Sequence, residues 1–94
     1  MVIVIGDVTL RPDAVDEALA LSRDHVARSR TEPGCISHDV HIHVDEPNRI
    51  VFVERWADRA ALDTHFAVPE SRAFARALTA LADGSPRMDV YDTV

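Results

Sequence analysis

Along this chain the spacing of apolar positions switches between a period of two and a helical period, and each switch marks an element boundary. Val2–Leu10 is apolar on both alternating faces, with Val2, Val4, Val8 and Leu10 on one and Ile3 and Ile5 on the other. Such a segment is a strand covered on both sides. From Pro12 the period lengthens: Val15, Leu19, Ser22 and Val26 recur at helical spacing with Ala18 and Leu21 beside them, while Arg23, Arg28 and Arg30 charge the other side and the C-terminal end. Pro12 suits a first helical position, and Asp13, Asp16 and Glu17 complement the helix dipole. The helix is predicted to run to Thr31, where Pro33-Gly34 stops it.

Alternation returns in Cys35–Val44, with Ile36, His38, Val40, Ile42 and Val44 on one face and Ser37, Asp39, His41 and His43 on the other. Asp45-Glu46-Pro47-Asn48 is turn chemistry and predicts a hairpin into Arg49–Trp56, where Ile50, Phe52 and Trp56 oppose Val51 and Val53. Asp58 is an N-cap for a helix over Arg59–Ala67, Pro69 breaks it, and Phe74, Ala77, Leu78 and Leu81 stripe a third helix. Asp83-Gly84-Ser85-Pro86 ends that helix, and Arg87–Val94 is a last strand with Met88, Val90 and Val94 on one face and Tyr91 on the other. The order β-α-β-β-α-α-β over residues 1–94 predicts one α+β domain of the ferredoxin-like class with a split second helix. Helices cover only one face of such a sheet, yet its central first and third strands are apolar on both. The open face therefore predicts a homodimer.

Composition narrows the functions. A chain of 94 residues buries roughly two thirds of its unfolded surface, so a partner subunit would add stability. Thirteen alanines and five aromatics make a core of small and aliphatic side chains. A net charge of −6 has the wrong sign for a general nucleic-acid binder. No apolar run approaches the roughly 20 residues of a membrane span, and the N-terminus lacks the basic region of a signal peptide, so the expected setting is the cytoplasm. A single cysteine, Cys35, excludes an internal disulfide framework and an all-cysteine zinc site.

Three segments carry a resemblance: Glu32-Pro-Gly-Cys-Ile-Ser-His-Asp-Val, Asp45-Glu-Pro-Asn-Arg-Ile-Val-Phe-Val-Glu-Arg-Trp, and Ala61-Leu-Asp-Thr-His-Phe followed by Phe74. In this order they resemble the antibiotic biosynthesis monooxygenase family, across essentially the whole chain and most densely from Glu32 to Phe74. The resemblance implies a dimeric α+β barrel with a pocket between the helices and the inner sheet face. It implies an oxygenase without flavin, haem or metal, whose electron-rich substrate itself reduces dioxygen. His65, in Leu62-x-x-His65, matches a usual pocket position of the quinol-oxidising branch. The haem-degrading branch carries Trp there, a histidine ten residues later and an Asn in the first strand; this chain has His65, Ala75 and Gly6, which argues against haem degradation.

The chemistry expected of individual residues follows. His65 as a neutral imidazole would take the proton of a phenol or quinol hydroxyl, although single histidines more often serve structure. Glu54 shares a strand face with Phe52 and Trp56 and must be paired or functional there. Its expected partner is an arginine, Arg72, Arg76 or Arg49, with orientation of His65 as the other reading. Trp56 would stack on a planar substrate or pack the core. His38, between Ile36 and Val40, would line the pocket or stand as a satisfied core or interface histidine. Phe66 would shape the pocket, and Tyr91 would hydrogen-bond a substrate or cover the barrel end. Asp39-x-His41-x-His43 puts a carboxylate and two imidazoles on one strand face, a partial metal set for which a solvated polar face is the simpler account. Cys35 reads as a small buried residue. The expected function is a cofactor-independent monooxygenase acting on a small aromatic phenol, quinol or polyketide-like substrate with dioxygen, with His65 as its base and no metal. A non-catalytic small-molecule binding module, or an isomerase or lyase on the same fold, are the alternatives.

Overall fold

The computed structural model describes residues 1–93. Strands β1 (Val2–Thr9), β2 (Cys35–Ile42), β3 (Arg49–Trp56) and β4 (Arg87–Asp92) form one antiparallel sheet in the order β2-β3-β1-β4. Helices α1 (Val15–Ser29), α2 (Arg59–Ala67) and α3 (Pro69–Leu81) fill the connections in the ferredoxin-like order. The two strands that are apolar on both faces, β1 and β3, are the central ones. Boundaries follow local chemistry. Pro12–Ala14 forms a separate 3-10 turn ahead of α1, and β2 ends at Ile42, leaving His43 and Val44 in the hairpin connection. Asp58 caps α2 by accepting from Ala61 N at 2.8 Å. Val94, assigned from sequence to the last strand, lies outside the described residues. Among those residues no helix is long and apolar enough to cross a membrane.

Two apolar clusters pack between sheet and helices. Val8, Leu10, Ala18, Ile50, Phe52 and Leu78 belong to one, and Val2, Val4, Trp56 and Leu62 form the other. Along β3 the covered face reads Phe52, Glu54, Trp56, so a carboxylate separates the clusters. Along β1 the same face reads Val4, Gly6, Val8. A polar belt thus crosses the core between two apolar ends.

One expectation about β2 fails for a clear reason. Its register with β3 shifts between Cys35 and Ser37, so Cys35 opposes Trp56 while His38 opposes Glu54. Ile36 is the extra residue of this bulge and is thrown to the surface, 58% exposed, instead of sharing the face of His38. The opposite face of the sheet carries Ile3, Val51 and Val53 half-buried, and Ile5 and Tyr91 exposed.

The turn into β2 rests on Gly34. Its φ of 84° lies in the left-handed region, its carbonyl accepts from Ala57 N at 2.8 Å, and an added Cβ would sit 2.5 Å from Ala61 Cβ. Gly34→Ala combines a left-handed residue, unfavourable by about 1–2 kcal/mol, with a clash against α2. We expect a loss of roughly 2–4 kcal/mol, read as a lower denaturant midpoint at unchanged slope. A midpoint equal to the parent's would show that the turn relaxes freely.

Candidate functional site

Four ionisable side chains meet in the polar belt, each from a different element. Glu54 comes from β3, His38 from the facing position of β2, His65 from α2 and His25 from α1. All are buried, at 5%, 1%, 3% and 6% exposure in that order. The imidazole centroids are 5.2 Å apart for His25 and His38, 5.3 Å for His25 and His65, and 5.7 Å for His38 and His65. One nitrogen from each of the three rings lies within 4.8 Å of the other two.

Hydrogen bonds set the tautomers. His65 Nδ1 donates to Glu32 Oε1 at 2.8 Å. An ionised carboxylate only accepts, so the neutral ring keeps its proton on Nδ1 and its lone pair on Nε2. Arg28 Nη2 donates to His25 Nδ1 at 2.9 Å and to Ser71 Oγ at 3.1 Å. A guanidinium only donates, so His25 Nδ1 is an acceptor. Trp56 Nε1 donates to Glu54 Oε1 at 3.0 Å, and His38 Nε2 and His65 Nε2 stand 3.2 and 3.9 Å from the same oxygen. His38 Nδ1 has no hydrogen-bond partner among the described residues, and its Nε2 has the Glu54 carboxylate alone, at hydrogen-bond distance but poorly aligned.

The charges follow. Burial pushes the His25 imidazole down to about 3, reinforced by the positive charge that His38 and His65 would carry and by Arg28. Burial alone would raise the Glu54 carboxyl, but the adjacent His38, the Trp56 donor and His65 outweigh it and hold it below the usual range. At neutral pH the belt therefore holds an ionised Glu54 beside a neutral His25.

A cavity of about 220 Å³ opens from this belt. The three histidines and Glu54 form its polar end, and Phe52, Phe66, Phe74 and Leu78 line its apolar part. It reaches the surface beside Arg72 and Thr79 of α3 and the start of β4. Phe74 stacks on His25 at 4.0 Å with 7° between the rings. The arrangement can hold a planar ring against aromatic walls and present a proton acceptor to its hydroxyl.

The structure brings His65, His38, Glu54 and Phe66 to this cavity. It does not bring Trp56 or Tyr91 there. Trp56 is fully buried, 4.6 Å from the His65 ring, so its surface is already taken by that imidazole and cannot stack on a ligand. Tyr91 opposes Ile3 on the other face of the sheet, because β4 places Met88 and Val90 inward. The arginine expected for Glu54 is also corrected. Arg49 pairs with Asp7 and Glu46, holding the Asp7 carboxyl below its ordinary range, and Glu54 takes its hydrogen bond from Trp56. Asp39, His41 and His43 do not assemble: Asp39 accepts from Arg30 at 2.8 Å, His43 Nδ1 accepts from Asp45 N at 3.1 Å, and His41 is exposed. Cys35 is half-buried, and burial followed by the negative charges of Glu32 and Glu54 pushes its thiol up, away from a nucleophilic thiolate.

Two members of the site escape the sequence reading. His25 continues a buried stripe of Ala18, Ser22, His25 and Ser29 that is small and polar, so a search for apolar periodicity passes over it. The 18-22-25-29 spacing is the signal that would have found it. Glu32 sits in the turn after α1, and nothing local shows that it reaches α2.

A family model described as "Antibiotic biosynthesis monooxygenase" matches residues 1–77. The uncharacterized protein sll1783 of Synechocystis sp. is 43% identical over 68 residues, which are 72% of this chain and 46% of that protein. The chain thus spans about half the length of that relative. The crystal structure of an antibiotic biosynthesis monooxygenase matches with a TM-score of 0.92 at 33% identity, covering 100% of this chain and 99% of the other. Rv0793 from Mycobacterium tuberculosis matches with a TM-score of 0.92 at 29% identity, covering 99% and 94%.

Proposed function

The chain belongs to the antibiotic biosynthesis monooxygenase family, and from that premise we propose that it oxidises a small phenol or hydroquinone with dioxygen in the cavity beneath its helices. The observation that carries the reading is His65: buried, held through Nδ1 by Glu32, with the Nε2 lone pair at the polar end of an aromatic-lined cavity. Nε2 takes the proton of the substrate hydroxyl. Glu54, whose Oε1 is 3.9 Å away, stabilises the imidazolium that forms. The phenolate is the electron donor, so no bound reductant is required. For a hydroquinone the balance is one substrate and one dioxygen to one hydroxyquinone and one water. One oxygen atom forms the new C–O bond, the other leaves as water, and the substrate supplies all four electrons.

Size supports a small substrate. An apolar cavity of about 150 Å³ holds benzene, so about 220 Å³ suits one or two rings better than three. The same reading includes a homodimer through the open sheet face, where Ile3, Ile5, Val51, Val53 and Tyr91 lie.

The test is oxygen uptake by the metal-free protein with one-ring and two-ring hydroquinones, simple phenols and a three-ring anthrone. We expect one dioxygen consumed per hydroquinone and slower turnover of the anthrone. Saturable binding without uptake would replace the reading with a binding module. Product formation without oxygen would replace it with an isomerase or lyase.

A further inference from the structure

We propose that His25, His38 and His65 form a binding site for a divalent transition-metal ion, with a coordination position open to the cavity. The ligands come from α1, β2 and α2, so only the fold assembles them. Their nitrogens lie within 4.8 Å of one another. Metal–imidazole bonds of about 2.0–2.1 Å in tetrahedral geometry put nitrogens roughly 3.4 Å apart. Each nitrogen therefore moves inward by less than about an ångström, within reach of side-chain rotation.

Two further observations point to an ion rather than to a closed hydrogen-bond network. His38 is 1% exposed and its Nδ1 has no hydrogen-bond partner among the described residues, a buried nitrogen that a self-sufficient network would have satisfied. His65 is oriented by a carboxylate on its outer nitrogen, as metal-binding histidines commonly are. Glu54 Oε1, 3.2 Å from His38 Nε2 and 3.9 Å from His65 Nε2, adds negative charge and a candidate fourth donor. Three imidazoles select zinc, cobalt, nickel, copper or iron over magnesium and calcium.

Arg28 opposes the ion. Its donation to His25 Nδ1 leaves the neutral ring's proton on Nε2. Binding through Nε2 moves that proton to Nδ1, and binding through Nδ1 displaces the guanidinium. Either way Arg28 leaves His25, and Ser71 Oγ, already 3.1 Å away, keeps its hydrogen bond. The ion also occupies the His65 lone pair assigned above to proton abstraction. Metal loading and base catalysis thus exclude one another at this site, and the inference extends beyond the oxygenase reading without depending on it.

The probe is Co(II), followed by Zn(II), titrated into the chelator-treated protein. We expect one ion per chain and the intense visible absorption of four-coordinate cobalt. His38→Ala, His25→Ala and His65→Ala should each weaken binding at least about a hundredfold, and the surface change His41→Ala should leave it unchanged. Arg28→Met, which removes no ligand, should tighten binding about tenfold. Fewer than one tenth of an ion per chain, octahedral cobalt spectra, or stoichiometry that survives His38→Ala overturns the site. Weaker binding in Arg28→Met overturns the opposition by Arg28. Zinc should also suppress any oxygen uptake of the metal-free enzyme. Cobalt binding in a protein that consumes no oxygen would retain the metal site and reject the oxygenase reading.

Discussion

His65→Asn should fold, bind the aromatic substrate with a KM near that of the parent, and lose oxygen uptake by about two to four orders of magnitude, the range general-base catalysis commonly spans. The substitution separates the two jobs of the side chain. An asparagine amide can still donate to Glu32 Oε1, the 2.8 Å contact that anchors His65, and it leaves Trp56 beneath it in place. What disappears is the Nε2 lone pair at the polar end of the cavity. A loss confined to kcat therefore reports proton transfer, whereas a loss shared with KM reports a damaged pocket. Glu32→Gln is the companion change. Glutamine still accepts from Nδ1 but removes the negative charge that faces the imidazolium formed on proton transfer, so we expect about a tenfold fall in kcat with KM little changed. Glu32 is thus a positioning residue that acts through His65. Uptake within about threefold of the parent in His65→Asn would end the assignment of His65 as the base.

How far the chain discloses its site depends on the range of each interaction. The bounds of β3 and α2 are legible because alternation, turn chemistry at Asp45–Asn48 and the Asp58 cap are local signals. That Glu54 and Trp56 share an inward face is legible for the same reason. Which of them meets a ligand is not, because α2 decides it: His65 covers the Trp56 ring and leaves Glu54 at the cavity wall. Ile36 is misplaced by a bulge, a one-residue insertion that no period in the sequence announces. His25 is hidden by a rule that looks for apolar residues on buried helix faces, and a functional core is where that rule fails. The position of His65 came from family resemblance; its lone pair, its anchor and its neighbours came from the fold.

Acidification should destabilise the metal-free protein well before its carboxylates titrate, and His25 is the reason. Its pKa falls from 6.5 to about 3 on folding. Between those values the unfolded chain binds a proton that the native state refuses, so stability rises with pH there. The contribution is fully present above about pH 6.5 and is lost progressively as the pH falls toward 3. Its slope approaches about 1.4 kcal/mol per pH unit, with a ceiling of about 4–5 kcal/mol over the window. Against the roughly 5–15 kcal/mol that holds a small domain together, this is a large share. Glu54 and Asp7 have lowered carboxyl values, so they add a second loss as the pH falls below the ordinary carboxylate range. Denaturant midpoints collected from pH 7.5 to 4.5, with chelator present, isolate the histidine. His25→Gln preserves an acceptor for Arg28 and cannot titrate, so its midpoint should stay nearly flat where that of the parent falls. Equal slopes in the two proteins would show that the unfolding is driven elsewhere. The same energy that makes the parent acid-sensitive keeps a buried imidazole uncharged at neutral pH, beside a cavity and next to a cation. A neutral ring is what a metal ligand must be, its lone pair held by Arg28 until an ion displaces that donor, and this fold pays for it with stability below pH 6.5.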